Sequence, residues 1–162
     1  MLRYLSQQEV VTAFGDPTPY VRMDGTVLGL WESEILGAFF LPAPLPLAWD
    51  RSRLVRRIRC HKKVAKHFDA AFQEIYKDQE AWRTIGDFGG CYAWRVQRGT
   101  KVLSRHCWAI AIDIDVADNP LGDPGDMDPR VIAAFEKNGF LWGGRFHRPD
   151  PMHLEWSDID RL

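Results

Sequence analysis

The sequence predicts one domain that mixes helices with a sheet, and three observations carry that expectation. A chain of 162 residues, 46% apolar and 27% charged, has enough apolar material for a single well-packed core, so a second domain is not expected. Within residues 61–82, apolar side chains recur at Val64, Phe68, Ala71, Phe72 and Ile75, which is one face of a helix; Lys62, Lys63, Lys66, Asp69 and Lys77 lie largely off it. Residues 91–96 and 109–116 alternate instead, with Tyr92, Trp94 and Val96 against Cys91, Ala93 and Arg95, then Ile110, Ile112 and Ile114 against Ala109, Ala111 and Asp113. That is the period of a strand.

The remaining elements follow from local signals. Ser6 with Glu9 three residues on is a capping pair, which predicts a short helix over residues 6–14 that Gly15 stops. Residues 16–19 form a turn, and Asp24-Gly25 between short apolar runs suggests a hairpin or two strand-like stretches, followed by a Pro-rich run to Trp49. Residues 1–50 are read as an N-terminal elaboration of the domain that could line a cleft, and residues 51–162 as its core. The helix over residues 61–82 is expected to pack on the sheet, with His61 and His67 as surface or helix-end residues. Residues 86–90 and 118–127 are loops; the acids of the second lack EF-hand ligand spacing and form a solvated loop. Asp128-Pro129 starts a helix that Asn138-Gly139 ends, and residues 142–146 and 152–156 are expected to pair as the last strands.

Composition excludes several classes of function. With 21 basic and 22 acidic residues the formal charge is -1, so no nucleic-acid partner is expected. The longest apolar run, residues 36–49, is broken by Pro42, Pro44 and Pro46 and is too short for a membrane-spanning helix. The opening residues turn polar too quickly for a secretory signal, which predicts synthesis in the cytoplasm without a signal peptide. Cys60, Cys91 and Cys107 form an odd set with no C-x-x-C pair, so neither a disulfide framework nor a thiolate zinc knuckle is suggested. Cys107 beside His106 would permit a thiolate nucleophile, but neighbours on an extended chain point to opposite sides.

The chemistry gathers in two segments, Ser104-Arg105-His106-Cys107-Trp108-Ala109-Ile110-Ala111-Ile112-Asp113 and Asp150-Pro151-Met152-His153-Leu154-Glu155. They offer two imidazoles, a carboxylate ligand and a spare carboxylate, a nitrogen and oxygen set that suits one zinc ion with an open coordination position. Residues 106 and 113 would stand about 23 Å apart on a straight strand and about 10 Å apart on a straight helix. Both therefore reach one ion only if the chain turns after His106 and Asp113 returns past it on a strand. Asp150 is close enough to His153 across a bend to accept a proton from a zinc-activated water while His153 binds the metal. Arg95 could bind substrate and stabilise an oxyanion, and Ser104 could donate to substrate or hold the turn before His106. Each of these residues has an ordinary alternative, a satisfied core histidine or a turn-forming aspartate. The joint pattern is what points to a zinc hydrolase.

The first segment resembles the S-x-H-x-x-G-x-A-x-D motif, and the second the [ED]-x-x-H motif, of the zinc D-Ala-D-Ala carboxypeptidase and L-Ala-D-Glu endopeptidase family, which includes vancomycin-resistance D,D-dipeptidases and phage endolysins. Ser104, His106, Ala111 and Asp113 match the first motif, with Ala109 where glycine is usual; Asp150 and His153 match the second. Arg95 with Arg98-Gly99 resembles the upstream arginine of endopeptidase-type members, and Trp142-Gly143-Gly144 a W-G-G segment of the family. The resemblance spans roughly residues 58–156. It implies an α+β fold of the hedgehog/DD-peptidase type, a small antiparallel sheet with packed helices. It further implies one zinc ion on His106, Asp113 and His153, Asp150 as catalytic base, and peptidoglycan stem peptide as substrate. A monomeric, phage-type lytic enzyme acting on the bacterial cell wall, with L-Ala-D-Glu endopeptidase activity, is the reading that follows. The alternative is a non-catalytic zinc- or wall-binding domain of a virion or secretion apparatus.

Overall fold

The computed structural model describes residues 2–162. Ser6 accepts from the Glu9 amide while the Glu9 carboxylate accepts from the Ser6 amide, and this capping box starts α1, Gln7–Phe14, as the sequence predicts. A one-turn helix, Thr18–Tyr20, and a tight turn bridged by Val21 and Val27 lead to α2, Gly29–Ile35, which the sequence reading did not anticipate. Next come two long strands, β1, Leu36–Leu47, and β2, Asp50–His61, which pair antiparallel. The three prolines do not prevent β1, because Pro42 and Pro44 fall where its register with β2 breaks, between Phe40 and Leu45.

The long helix expected over residues 61–82 is two helices, α3, Ala65–Lys77, and α4, Gln79–Thr84. Asp78 divides them by accepting from the amides of Glu80 and Ala81 as a new N-cap, a local signal that competed with the continuous apolar period. The glycine-rich stretch read as a loop contains β3, Phe88–Gly90, whereas residues 91–96 form no strand beyond a single bridge, Val96 to Leu103. β4, Ala111–Ile114, and α5, Pro129–Lys137, capped by Asp128, stand where expected. The last hairpin pairs β5, Phe140–Trp142, with β6, His153–Trp156; residues 143–145 curl into a helical turn instead of extending the strand.

The strands form one sheet in the order β2-β1-β3-β4-β6-β5, antiparallel except where β1 meets β3. The architecture is α+β. α3 lies on β1 and against α5, and the layer between helices and sheet is aromatic: Phe39 stacks on Phe68 and Phe72, and Phe140 meets Phe68, Phe135 and Trp156. This layer packs on the sheet in which the neighbouring strands β4 and β6 bring their residues together at the site. Among the described residues no helix is long and apolar enough to cross a membrane.

Candidate metal and catalytic site

A helical turn, Arg105–Trp108, carries His106, and it is built by its sequence and braced by the N-terminal third. Ser104 caps it by accepting from the His106 amide, so of its two foreseen roles the turn-holding one is occupied. Ala109 ends it in the left-handed region, φ 53°, the conformation a glycine would take there, at a cost to alanine of about 1 kcal/mol. Trp31 of α2 donates to the Cys107 carbonyl, Trp108 donates to the Gly15 carbonyl, and His61 at the end of β2 donates its amide to Ala109. His61 is therefore buried at the end of a strand, where a surface or helix-end residue was expected; its Nδ1 accepts from the Lys63 amide.

After this turn the chain runs back as β4, and Asp113 pairs directly with His153 of β6. The turn and return that the spacing demanded are both present. Ligand atoms of His106, Asp113 and His153 lie within 4.8 Å of one another. His106 Nε2 is 3.2 Å from Asp113 Oδ2 and 3.3 Å from His153 Nδ1, and His153 Nδ1 is 2.9 Å from Asp113 Oδ1. His106 Nδ1 faces the Cys91 carbonyl at 2.8 Å. A carbonyl only accepts, so the His106 proton sits on Nδ1 and the lone pair of Nε2 points at Asp113 and His153.

The electrostatics of this cluster ask for positive charge. Burial would push His153 down, yet its hydrogen bonds to Asp113 and Glu155 and the charges of both carboxylates outweigh it, and its pKa is pushed up to about 10. Burial would raise Asp113, but the charges and hydrogen bonds of the two histidines hold its carboxyl well below the usual carboxylate range. Two imidazoles and one carboxylate, buried and converging, fit a divalent cation with nitrogen and oxygen preferences such as zinc, which would take the place of the proton His153 otherwise binds.

Asp150 lies in the bend before β6, where its carbonyl accepts from the His153 amide. Its Oδ1 is buried without a hydrogen-bond partner, and its pKa is raised, chiefly by burial and against the pull of His153. Arg95 stands half-exposed with Nη2 4.0 Å from Asp113 Oδ2. Arg95, Asp113, Asp150 and His153 line a cleft of about 870 Å3, with Tyr4, Arg98, Phe146 and Arg148 among its walls. Cys107 leaves the chemistry: its thiol is buried, donates to the Arg95 carbonyl, and is raised in pKa by burial.

The sequence reading missed three contributors. Glu155 is buried with Oε2 3.1 Å from His153 Nε2, Arg105 is buried behind it, and Tyr4 lines the cleft. A signal for Glu155 was available, since positions two apart on a strand share a face and His153 and Glu155 are so spaced. Ala111 is the cross-strand partner of Glu155, so the small residue noted in the sequence sits opposite this carboxylate.

A cluster of two histidines and a carboxylate beside an unpartnered carboxylate, opening on a cleft, is an arrangement that could hold a single metal ion. Residues 98–156 match the model of a family described as D-alanyl-D-alanine carboxypeptidase, which supports the family read from the motifs, and the matched segment holds His106, Asp113, Asp150 and His153. No curated protein and no solved structure matches the chain.

Proposed function

We propose that this protein is a zinc-dependent metallopeptidase that hydrolyses an amide bond in the stem peptide of bacterial peptidoglycan, with L-Ala-D-Glu endopeptidase action favoured over D-Ala-D-Ala carboxypeptidase action. The observation that carries the reading is the convergence of His106 Nε2, His153 Nδ1 and the Asp113 carboxylate beside the buried, unpartnered Asp150.

His106, Asp113 and His153 would hold the zinc. When bound, such an ion polarises the scissile carbonyl and lowers the pKa of water toward neutrality. Asp150 takes the proton from the attacking water and passes it to the departing amine. Its raised pKa suits that exchange, because a carboxylate whose conjugate acid is too strong would not take the proton from water. Arg95, at the cleft edge, binds a carbonyl or carboxylate oxygen of the peptide and offsets charge that develops as water adds. The arginine is the feature that favours an endopeptidase.

Incubation with purified sacculi, with and without a chelator, tests the reading through the masses of the released fragments. A new N-terminal D-Glu is expected; free D-Ala would assign carboxypeptidase action instead. Lysis that survives both chelation and Asp150→Ala would refute the hydrolytic mechanism.

A further inference from the structure

We propose that Glu155 is the positioning residue of this centre: it holds the Nε2–H of His153 so that Nδ1 faces Asp113 and His106, and the buried Arg105 holds Glu155 in turn. The proposal rests on the zinc reading above. His153 Nε2 lies 3.1 Å from Glu155 Oε2, with both side chains almost fully buried. Were the ring proton on Nδ1 alone, a bare nitrogen would face a carboxylate oxygen at that distance, acceptor against acceptor. Nδ1 faces Asp113 Oδ1 at 2.9 Å in the same way, so each ring nitrogen of metal-free His153 points a proton at a carboxylate; once a metal takes Nδ1, the remaining proton is the one on Nε2 that Glu155 holds. The Cys91 carbonyl selects the opposite tautomer of His106, and the two choices aim both free lone pairs at one point.

Arg105 explains how a carboxylate can be kept there. Its side chain is 1% exposed, and Nε stands 3.8 Å from Glu155 Oε1, close enough for charge attraction though neither atom has a hydrogen-bond partner. The guanidinium is anchored elsewhere, donating to the Leu5 carbonyl and to Gln7 Oε1 and lying over the Tyr4 ring at 4.8 Å. A buried ion pair adds little stability compared with apolar residues of the same shape, so stability alone does not account for it. Its place directly behind His153 does. The N-terminal segment is thereby tied to the orientation of a metal ligand on the last strand.

The test measures zinc affinity by competition with a chromogenic chelator, alongside the melting temperature of each metal-free variant. Glu155→Ala is expected to lose about 10- to 100-fold in zinc affinity, whereas Glu155→Gln, whose amide oxygen still accepts from Nε2–H, is expected to recover most of it. A merely structural role would lower both melting temperatures without separating the two variants in affinity. Nitrogen-15 spectra of the zinc-loaded wild type give a readout that survives a failure of Glu155→Ala to fold: an exchange-protected proton on His153 Nε2 is expected. Wild-type affinity in Glu155→Ala, or a His153 proton on Nδ1, overturns the proposal while leaving the zinc reading in place. A wild-type protein that binds no zinc overturns both.

Discussion

Replacing Gly143 by alanine places a methyl group against the bend that separates the base from its neighbouring ligand. A Cβ built on Gly143 would stand 2.5 Å from the Asp150 carbonyl oxygen, 3.1 Å from the His153 carbonyl oxygen and 3.2 Å from His153 Cβ. Cβ contacts below 3.0 Å essentially do not occur, so the Asp150 carbonyl must retreat by at least 0.5 Å, the difference between 3.0 and 2.5 Å. Nothing flexible stands there to absorb the shift. The Asp150 carbonyl accepts from the His153 amide, and the Gly143 carbonyl accepts from the amides of Asp150 and Phe146, each at 3.0 Å, so the whole bend moves together. Overpacking of this kind costs about 1–3 kcal/mol of stability. A misplacement of about 1 Å at a reacting group costs on the order of 100-fold in rate, so half that distance is expected to cost on the order of tenfold. Urea unfolding reads the first quantity and turnover of a peptidoglycan fragment the second. A Gly143→Ala protein with unchanged midpoint and unchanged turnover would refute the steric argument and the placement of Asp150 with it.

The remaining predictions concern metal, metal support and protons. Gly89→Ala sets a Cβ 2.4 Å from Val116 Cγ2 and 3.0 Å from Asp113 Cβ; it should destabilise the fold by about 1–3 kcal/mol and weaken zinc binding, read by unfolding and chelator competition. Zinc at about 100 times its dissociation constant should stabilise the protein by about 2.7 kcal/mol, and a melting curve indifferent to zinc would contradict the ligand set. His61, buried beside Phe14 and next to Lys62 and Lys63, has its pKa lowered to about 4, chiefly by burial. The unfolded chain, with a histidine pKa near 6.5, then binds the proton more readily, so this contribution is complete above pH 6.5 and is lost as pH falls toward 4. Between pH 7 and pH 5 the loss is on the order of 2 kcal/mol, and a His61→Gln protein should lack that slope in urea midpoints.

How much of this was legible beforehand varied with the range of the cause. The capping box of α1, the Asp128 cap of α5 and its Gly139 stop rest on contacts within four residues, and the sequence displays them completely. Asp78 was equally local but was masked by an apolar period that runs on through Trp82. β1 was illegible for a different reason: whether prolines interrupt a strand depends on where its partner's register slips, and that partner lies beyond the turn. The strand expected over residues 91–96 failed likewise, since alternation alone cannot supply a neighbour to pair with.

The site divides along the same line. The sequence by itself offered the candidate donor set: His106, Asp113, Asp150 and His153 are residue types suited to a divalent cation and a base, and the motifs they resemble group them together. The tertiary structure decided which atoms point inward. That choice is made by the Cys91 carbonyl behind His106, by the pairing of Asp113 with His153, and by Glu155 with Arg105, whose anchors on Leu5 and Gln7 lie about a hundred residues away. An imidazole presents either nitrogen until a partner takes one, and the partners arrive only when the chain folds.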